Sequence, residues 1–317
     1  MRKPPPDFVI VGAPKCASTA VYRSLREHPS VFLPSLKEPQ YFAFDHKRGR
    51  AVERIDLYDD LYNEASDSQL RGDASILYLS SAEAIPAILQ RRPDAKFIAI
   101  IRDPVELFIS WHNECLKSLD EDEQDLERAW RLQEERATGR LPRLCKEPAY
   151  LQYRRICAVG WQIERLFQLV PGSQRIVVVM EDLNRTPLVV HKQITDFLGI
   201  EDTGKSEFVR ENIFAAHRSR IAARVTRLVH VSPFFKSLRV RLKPALNKRG
   251  IYPLTWIVNS SLRKVAKPTL SEAFERELRD EFRADVQLLQ TLLNRDFPDW
   301  LGNEVSVGRD KRRGASI

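Results

Sequence analysis

The sequence predicts an α/β fold in which helices cover a central parallel sheet, forming a three-layer sandwich. Its strongest strand candidates are continuous runs rich in Val and Ile, which is typical of strands buried on both faces. Segments with helical apolar spacing alternate with these runs up to about residue 200, and beyond it we expect a helical region without strands. One domain is expected over residues 1–317. It would comprise an α/β core at 7–200, a basic helical part at 201–300 and a frayed tail at 308–317.

Five segments are predicted to be strands, and six show the apolar spacing of helices. The strands, with the two weakest last, are Phe8–Gly12, Lys96–Ile101, Arg175–Met180, Ser30–Leu33 and Gln69–Ala74. The helices are Ser18–His28, Ser81–Arg91, Pro104–Leu119, Tyr150–Val170, Pro187–Leu198 and Leu270–Asn294. Pro29 ends the first helix, and Pro104 suits the first position of the third. The acidic stretch Asp120–Glu135 is expected to be an exposed helix, and residues 220–265 to form short basic helices.

Composition excludes several classes of protein. With 43% hydrophobic and 30% charged residues, the chain is neither collagen-like nor wholly disordered. No apolar run is long enough to span a bilayer, and the first residues lack the apolar stretch of a signal peptide. The four cysteines are widely spaced without a CxxC pair, which argues against a disulfide framework or a zinc site. We therefore expect a cytoplasmic protein without a metal.

The net charge of +8 is unevenly distributed. Residues 214–268 contain thirteen Lys or Arg and no Asp or Glu. This basic segment predicts a local anionic partner, since a neutral surface rarely lacks acidic residues over such a length. The alternative is a solvated helical face that is basic without a ligand.

The first strand leads into a loop with the features of a phosphate site. Gly12 ends the strand, Lys15 follows in a tight turn, and Ser18 and Thr19 begin a helix. Unpaired N–H groups and the helix dipole attract an anion at such a start, and a lysine adds a full positive charge. The loop is not a Walker A motif, because Cys16 stands near the expected glycine. The alternative is an ordinary turn with a solvated lysine.

A second strand–helix junction repeats this arrangement. Arg102 follows the strand that ends at Ile101, at the sheet edge where α/β proteins bind ligands, and Ser110 lies about two helical turns further on. A guanidinium can bind a phosphate through two hydrogen bonds, and a hydroxyl can add a third. Alternatively, Arg102 pairs with a nearby carboxylate and Ser110 is a surface residue.

Taken together, these features resemble the family of sulfotransferases that use 3′-phosphoadenosine 5′-phosphosulfate (PAPS), especially the branch of bacterial and heparan sulfate enzymes. The resemblance covers roughly residues 7–200, with the motifs in the family's order and spacing. The residues that carry it are Gly12-Ala13-Pro14-Lys15-Cys16-Ala17-Ser18-Thr19, Lys37-Glu38-Pro39-Gln40-Tyr41-Phe42, Gly72-Asp73-Ala74-Ser75, Ile101-Arg102-Asp103-Pro104 with Ser110, and Glu181-Asp182-Leu183.

The resemblance implies a donor with two phosphate ends and therefore two anion sites. The first loop would hold the 5′-phosphosulfate of PAPS, and Arg102 with Ser110 the 3′-phosphate. A later basic loop completes the 3′-phosphate site in the family, for which residues 212–220 are the candidate and Arg263-Lys264 the alternative. The predicted donor-binding residues are Lys15, Cys16, Ala17, Ser18, Thr19, Ala20, Arg102, Ser110, Arg218 and Ser219. The product would be 3′,5′-adenosine bisphosphate (PAP), and no metal is needed.

The resemblance also implies two catalytic residues. Lys15 would stabilise the leaving phosphate, and Glu38 would act as the general base toward the acceptor. The alternative pairs Glu38 with Lys37 or Arg23 as a structural anchor. The heparan sulfate enzymes commonly have histidine where this chain has Gln40, and a lysine near Ala74, so a heparan-type acceptor is in doubt. Asp73 and His46 are reserve candidates for the base or for acceptor contact.

The predicted activity is sulfuryl transfer from PAPS to a hydroxyl or amine of a glycan, lipid or secondary metabolite. An acidic glycan or glycolipid fits the basic segment, which would otherwise contact an anionic membrane surface. Variable loops at residues 43–68 and 136–150 are expected to line the acceptor pocket. Two alternative functions stay open: a small-molecule kinase of the nucleotide-loop superfamily, and a non-enzymatic nucleic-acid binder that uses the basic segment. The sequence does not predict the oligomeric state.

Overall fold

A computed structural model describes residues 4–46, 49–204, 215–217 and 262–302. Its centre is a sheet of five strands in the order β2-β3-β1-β4-β5, with every neighbouring pair parallel. The strands are Phe8–Gly12 (β1), Val31–Phe32 (β2), Leu70–Ala74 (β3), Lys96–Ile101 (β4) and Arg175–Val179 (β5). The predicted α/β fold with a central parallel sheet is therefore confirmed.

Helices connect the strands and continue after them. Those of the α/β core are Ser18–Arg26 (α1), Ile55–Asp60 (α2), Ala84–Arg91 (α3), Pro104–Ser118 (α4), Leu126–Arg131 (α5), Gln133–Ala137 (α6), Tyr153–Cys157 (α7), Val159–Leu169 (α8), Met180–Arg185 (α9) and Pro187–Leu198 (α10). The C-terminal region contributes the long helix Glu272–Leu293 (α11). Short 3₁₀ helices lie at Ile76–Tyr78, Pro148–Leu151, Gly172–Gln174 and Pro298–Leu301. None of the helices in the described ranges is long and apolar enough to cross a membrane.

The central strand β1 is buried along its whole length, as its continuous apolar sequence predicts. It pairs with β4 from Phe8 opposite Lys96 to Gly12 opposite Ile100. A side chain at Gly12 would collide with the backbone of Ile100, and the N–H of Ala13 donates to the Ile100 carbonyl at 3.1 Å. The two strands therefore stay paired up to the loop that follows β1.

Strands also occur beyond residue 200, so the expectation of a strandless C-terminal region is wrong. Ala215–His217 (β6) and Leu262–Lys264 (β7) pair antiparallel. Three-residue strands are too short to show a periodic pattern. The predicted short basic helices at 220–265 lie mostly outside the described residues.

The predicted helix Tyr150–Val170 is interrupted rather than continuous. It divides into a 3₁₀ turn, α7 and α8. The amide of Gln162 donates to the carbonyl oxygens of Arg155 (3.0 Å) and Ile156 (3.1 Å), which the interruption leaves without helical partners. A buried side chain thus stabilises a break that apolar spacing does not reveal.

The acidic stretch Asp120–Glu135, predicted to be an exposed helix, is so only in part: α5 and the start of α6 lie within it, but its first two residues are neither helical nor exposed. Asp120 and Glu121 are both about 2% exposed. Glu121 accepts hydrogen bonds from Arg136 and, at 3.0 Å, from Tyr153. Burial is tolerated because the carboxylate is paired and hydrogen-bonded.

Helix α11 packs directly on α8, and the contact depends on a glycine. Asp285 accepts hydrogen bonds from the backbone N–H groups of Gly160 (2.9 Å) and Trp161 (2.8 Å) at the start of α8. A Cβ atom at Gly160 would collide with the Asp285 carbonyl oxygen, which belongs to the backbone of α11 and cannot rotate away.

We therefore expect Gly160→Ala to lower the free energy of unfolding by about 1–3 kcal/mol through overpacking. Chemical denaturation measures the change. Gly172→Ala is the matched control, since a Cβ there would meet nothing within 4 Å. Equal stabilities of the two variants would contradict the proposed close packing of α8 and α11.

Candidate donor and transfer site

The strand order places a ligand-binding crevice between β1 and β4. The connection after β1 leads to β2 at one edge of the sheet, and the connection after β4 leads to β5 at the other. At such a switch point the loops diverge and leave a cleft at the carboxyl ends of the strands. Lys15 follows β1 and Arg102 follows β4, so both predicted anion-binding residues lie at this crevice.

The loop after β1 has the backbone of an anion site. Lys15 and Ala17 have φ angles of 62° and 63°, a left-handed conformation that is uncommon outside glycine. Alternation of right- and left-handed residues turns successive N–H groups toward one point, where an anion binds. Within the described chain no side chain caps the N-terminus of α1. Cys16 is buried, and burial raises the pKa of its thiol, so it contributes backbone and packing rather than a thiolate.

Arg102 joins the two predicted anion sites. Its Nη1 atom donates to the Lys15 carbonyl oxygen and to Ser110 Oγ, both at 3.0 Å. Nη2 donates to Glu106 at 3.1 Å, while Nε is buried without a hydrogen-bond partner among the residues described. The structure thus brings Lys15, Arg102 and Ser110 together, and it shows the carboxylate pairing of Arg102 that the sequence left as an alternative.

Two carboxylates on α4, those of Glu114 and Glu106, form ion pairs with Lys15 and Arg102. The sequence analysis selected neither of them. Lys15 Nζ lies 3.0 Å from Glu114 Oε2, and Lys117 Nζ lies 2.8 Å from the same oxygen. Burial alone would raise the pKa of Glu114, but the two ammonium groups lower it to about 2. Glu106, Ser110 and Glu114 are spaced by four residues and so share one face of α4, which is the sequence signal that could have found them.

The segment Leu36–Phe42, here called the Glu38 loop, lies at the end of β3, next to β1. The N–H of Glu38 donates to the Ala74 carbonyl oxygen at 3.0 Å. Glu38 has a φ angle of 59°. Its carboxylate accepts a hydrogen bond from Lys37, which was one of the two partners considered for a structural anchor. The side chain is about one third exposed, so the carboxylate is still accessible from solvent.

Asp73 and His46, the reserve candidates for a base, are both buried. Asp73 is fully enclosed, and its carboxylate accepts three hydroxyl hydrogen bonds. Direct proton uptake from an acceptor is therefore excluded for Asp73. Burial lowers the pKa of His46, and neither ring nitrogen has a hydrogen-bond partner within the described part of the chain.

Arg218 and Ser219, the predicted basic-loop contacts, lie outside the described residues. The strand pair nevertheless relates the two candidate segments. Ala216 pairs with Arg263 and His217 with Leu262, and β6 lies beside α4. Lys267, at the end of the alternative basic segment 263–267, donates to Glu106, which also accepts from Arg102. The described parts of the two candidate segments, β6 and β7, are therefore neighbours in one strand pair.

A comparison with known protein families decides the classification. The family model described as "Sulfotransferase domain" matches residues 5–241 of the chain. The chain belongs to the sulfotransferase family. This membership confirms the resemblance and leaves the alternatives of a small-molecule kinase and a nucleic-acid binder without support.

Similar proteins agree with this classification. The chain is 30% identical over 206 residues to human bifunctional heparan sulfate N-deacetylase/N-sulfotransferase 3, a match that covers 62% of the chain and 22% of the relative. It is 31% identical over 111 residues to human heparan sulfate glucosamine 3-O-sulfotransferase 3B1, covering 35% and 27%. The chain thus matches only about a quarter of the length of these sulfotransferases.

A crystal structure of a sulfotransferase from Alicyclobacillus acidocaldarius has the same fold. The two share 20% sequence identity with a TM-score of 0.68, over 95% of this chain and 99% of that one. At this identity the likeness shows the fold alone.

Proposed function

We propose that the protein transfers a sulfuryl group from PAPS to a hydroxyl or amine of a glycan, lipid or secondary-metabolite acceptor. The proposal rests mainly on one observation: the Arg102 guanidinium contacts both the Lys15 loop and Ser110. A donor with phosphate groups at two ends needs two anion sites at one crevice, and this contact joins two such sites.

The residues present fit the two ends of PAPS. The nest-like loop and Lys15 suit the 5′-phosphosulfate, while Arg102 and Ser110 suit the 3′-phosphate. The buried Nε of Arg102, which has no hydrogen-bond partner among the described residues, is a donor available to such an anion. Binding requires that Lys15 exchange Glu114 for the donor, and Lys117 then continues to compensate the Glu114 charge.

Transfer requires a leaving group, a cation beside it and a base. The bond between sulfur and the bridging oxygen of PAPS breaks, a bond from sulfur to the acceptor oxygen or nitrogen forms, and PAP leaves with the electron pair. Lys15 stabilises the charge that develops on the leaving phosphate. Glu38 takes the acceptor proton once Lys37 has moved away. No step uses a metal, so transfer should persist in the presence of a chelator.

The acceptor remains a class rather than a compound. The two human relatives named above carry heparan sulfate in their names, one as an N- and one as a 3-O-sulfotransferase, which favours a glycan acceptor but leaves its nucleophilic atom open. The basic segment at 214–268 would attract an acidic glycan or glycolipid. In the predicted acceptor wall at 43–68, Phe44 is 38% exposed and has the Arg50 guanidinium over its ring, a surface that suits a sugar ring with a negative charge. A cytoplasmic location stays a prediction.

The proposal is tested with labelled PAPS, a chelator and a panel of a glycan, a phenol, a sterol and a glycolipid. We expect label transfer to at least one acceptor and thermal stabilisation by PAP without magnesium. Stabilisation by ATP with magnesium but not by PAP would contradict the proposed donor.

We further expect Arg102→Lys to weaken PAP binding by about tenfold to a hundredfold, because lysine loses the planar donor fork that spans the Lys15 loop and Ser110. Isothermal titration calorimetry measures the dissociation constant. Arg131→Lys is the matched control, since Arg131 forms an exposed ion pair with Glu277. Equal affinities of the two variants for PAP would remove Arg102 from the donor site.

A further inference from the structure

Three hydroxyl groups converge on the buried carboxylate of Asp73 at the end of β3. Tyr58 and Tyr78 donate to Oδ2 at 2.9 and 3.0 Å, and Ser75 donates to Oδ1 at 2.7 Å. Burial raises the pKa of Asp73 to about 6, and the three hydrogen bonds limit the rise. At neutral pH the group is therefore mainly a carboxylate, which fixes the direction in which each hydroxyl donates.

Two of these hydroxyl groups also hold the Glu38 loop. Ser75 Oγ accepts the N–H of Gln40 at 3.1 Å, and the Tyr78 hydroxyl accepts the N–H of Phe42 at 3.3 Å. Since a hydroxyl has one proton, a hydroxyl that donates to Asp73 presents only its lone pairs to the loop. The carboxylate therefore orients Ser75 and Tyr78 as acceptors for the loop amides.

The loop needs this support because its backbone is strained. Glu38 and Gln40 have φ angles of 59° and 54°, which cost non-glycine residues energy and persist only where surrounding contacts enforce them. The rings of Tyr41 and Tyr58 stack at 5.2 Å between centroids, so the third hydroxyl donor also packs on the loop. The carboxylate of Asp73 therefore acts on the conformation of the loop that carries Glu38.

We propose that Asp73 is a positioning residue for sulfuryl transfer, because it orients the Ser75 and Tyr78 hydroxyl groups that hold the backbone of the Glu38 loop. This inference rests on the proposed function, in which Glu38 is the base. It predicts a defect in the transfer step and not in donor binding, since the donor site at β1 and β4 makes none of these contacts.

The test compares Asp73→Asn and Tyr78→Phe with Tyr62→Phe. Tyr62 is a buried tyrosine of the same cluster, but its hydroxyl bonds to Tyr58 and to the Gly72 carbonyl oxygen rather than to the loop. We expect the first two variants to lower kcat by about tenfold to a hundredfold, because a catalytic group that is displaced from its working position loses activity on this scale. The Kd for PAP should stay within twofold of that of the unmodified protein. Tyr62→Phe should lower Tm without lowering kcat. If Asp73→Asn does not fold, Tyr78→Phe and Ser75→Ala provide the same readout.

A double-mutant cycle with Glu38→Gln separates positioning from general stability. If Asp73 acts through Glu38, each double variant (Asp73→Asn or Tyr78→Phe combined with Glu38→Gln) should have a kcat within about threefold of that of Glu38→Gln alone. The inference would be overturned if Asp73→Asn and Tyr78→Phe lowered Tm but left kcat unchanged, as expected for Tyr62→Phe. It would also be overturned if the losses of kcat in the cycle were fully additive. Absence of transfer by the unmodified protein would instead refute the proposed function itself. Full turnover by Glu38→Gln would leave sulfuryl transfer in place but would remove Glu38 as the base, and the inference about Asp73 with it.

Discussion

Lys15→Ala is expected to lower kcat for sulfuryl transfer by about a hundredfold to a thousandfold, the largest effect of any single change considered. A preorganised cation beside the leaving phosphate stabilises the negative charge that develops there in the transition state. Removal of one such group from an active site lowers kcat by about this factor. Steady-state kinetics with labelled PAPS measure the loss. Since the loop N–H groups remain, the affinity for PAP should fall much less than kcat.

The matched control is Lys192→Ala, which removes the same charge from an exposed ion pair with Asp196 on α10. It should leave kcat and the Kd for PAP unchanged. A Lys15→Ala variant whose kcat equals that of this control would show that Lys15 has no catalytic role and is only the ion-pair partner of Glu114.

Glu38→Gln is expected to lower kcat by about a hundredfold, because the glutamine amide preserves size and hydrogen bonding but cannot take the acceptor proton. The Kd for PAP should stay within twofold, since the carboxylate lies at β3 and the donor site at β1 and β4. A kcat measurement across pH with one acceptor tests this, because removal of the base should also change the acidic limb of the profile.

Glu38→Asp provides the control for charge. A shorter carboxylate still takes a proton from a less favourable distance, so its kcat should lie between those of Glu38→Gln and the unmodified protein. If instead aspartate and glutamine lower kcat equally, Glu38 is the structural partner of Lys37 rather than the base.

The central sheet could be predicted almost residue by residue. Strands β1 and β4 were predicted with the bounds that the structure shows, and β5 with one residue too many. Strands β1 and β4 are buried and almost entirely apolar, so the sequence itself contains their signal. The end of α10 at Gly199 could also be predicted from the sequence, because a left-handed φ of 76° at this position suits glycine.

Pairing between distant charged groups could not be predicted in this way. Glu114 lies 99 residues from its partner Lys15, and nothing in local spacing relates them. The carboxylates of Asp120, Glu121 and Asp73 are buried although their sequence positions suggest exposure or catalysis. A hydrophobic pattern indicates which apolar residues are buried. It does not indicate which polar groups are buried with hydrogen-bond or ion-pair partners from other helices and strands.

The α/β class, the two strand–helix junctions and the residue types available to an anion there could be predicted from local properties, namely burial periodicity and the chemistry of Lys15 and Arg102. Three relations became visible in the folded protein and not before: the bond of Arg102 to the Lys15 loop, the counter-ions on α4, and the hydroxyl groups that link Asp73 to the Glu38 loop. These relations depend on the order of strands in the sheet, and strand order is set by packing of the whole core rather than by any one segment.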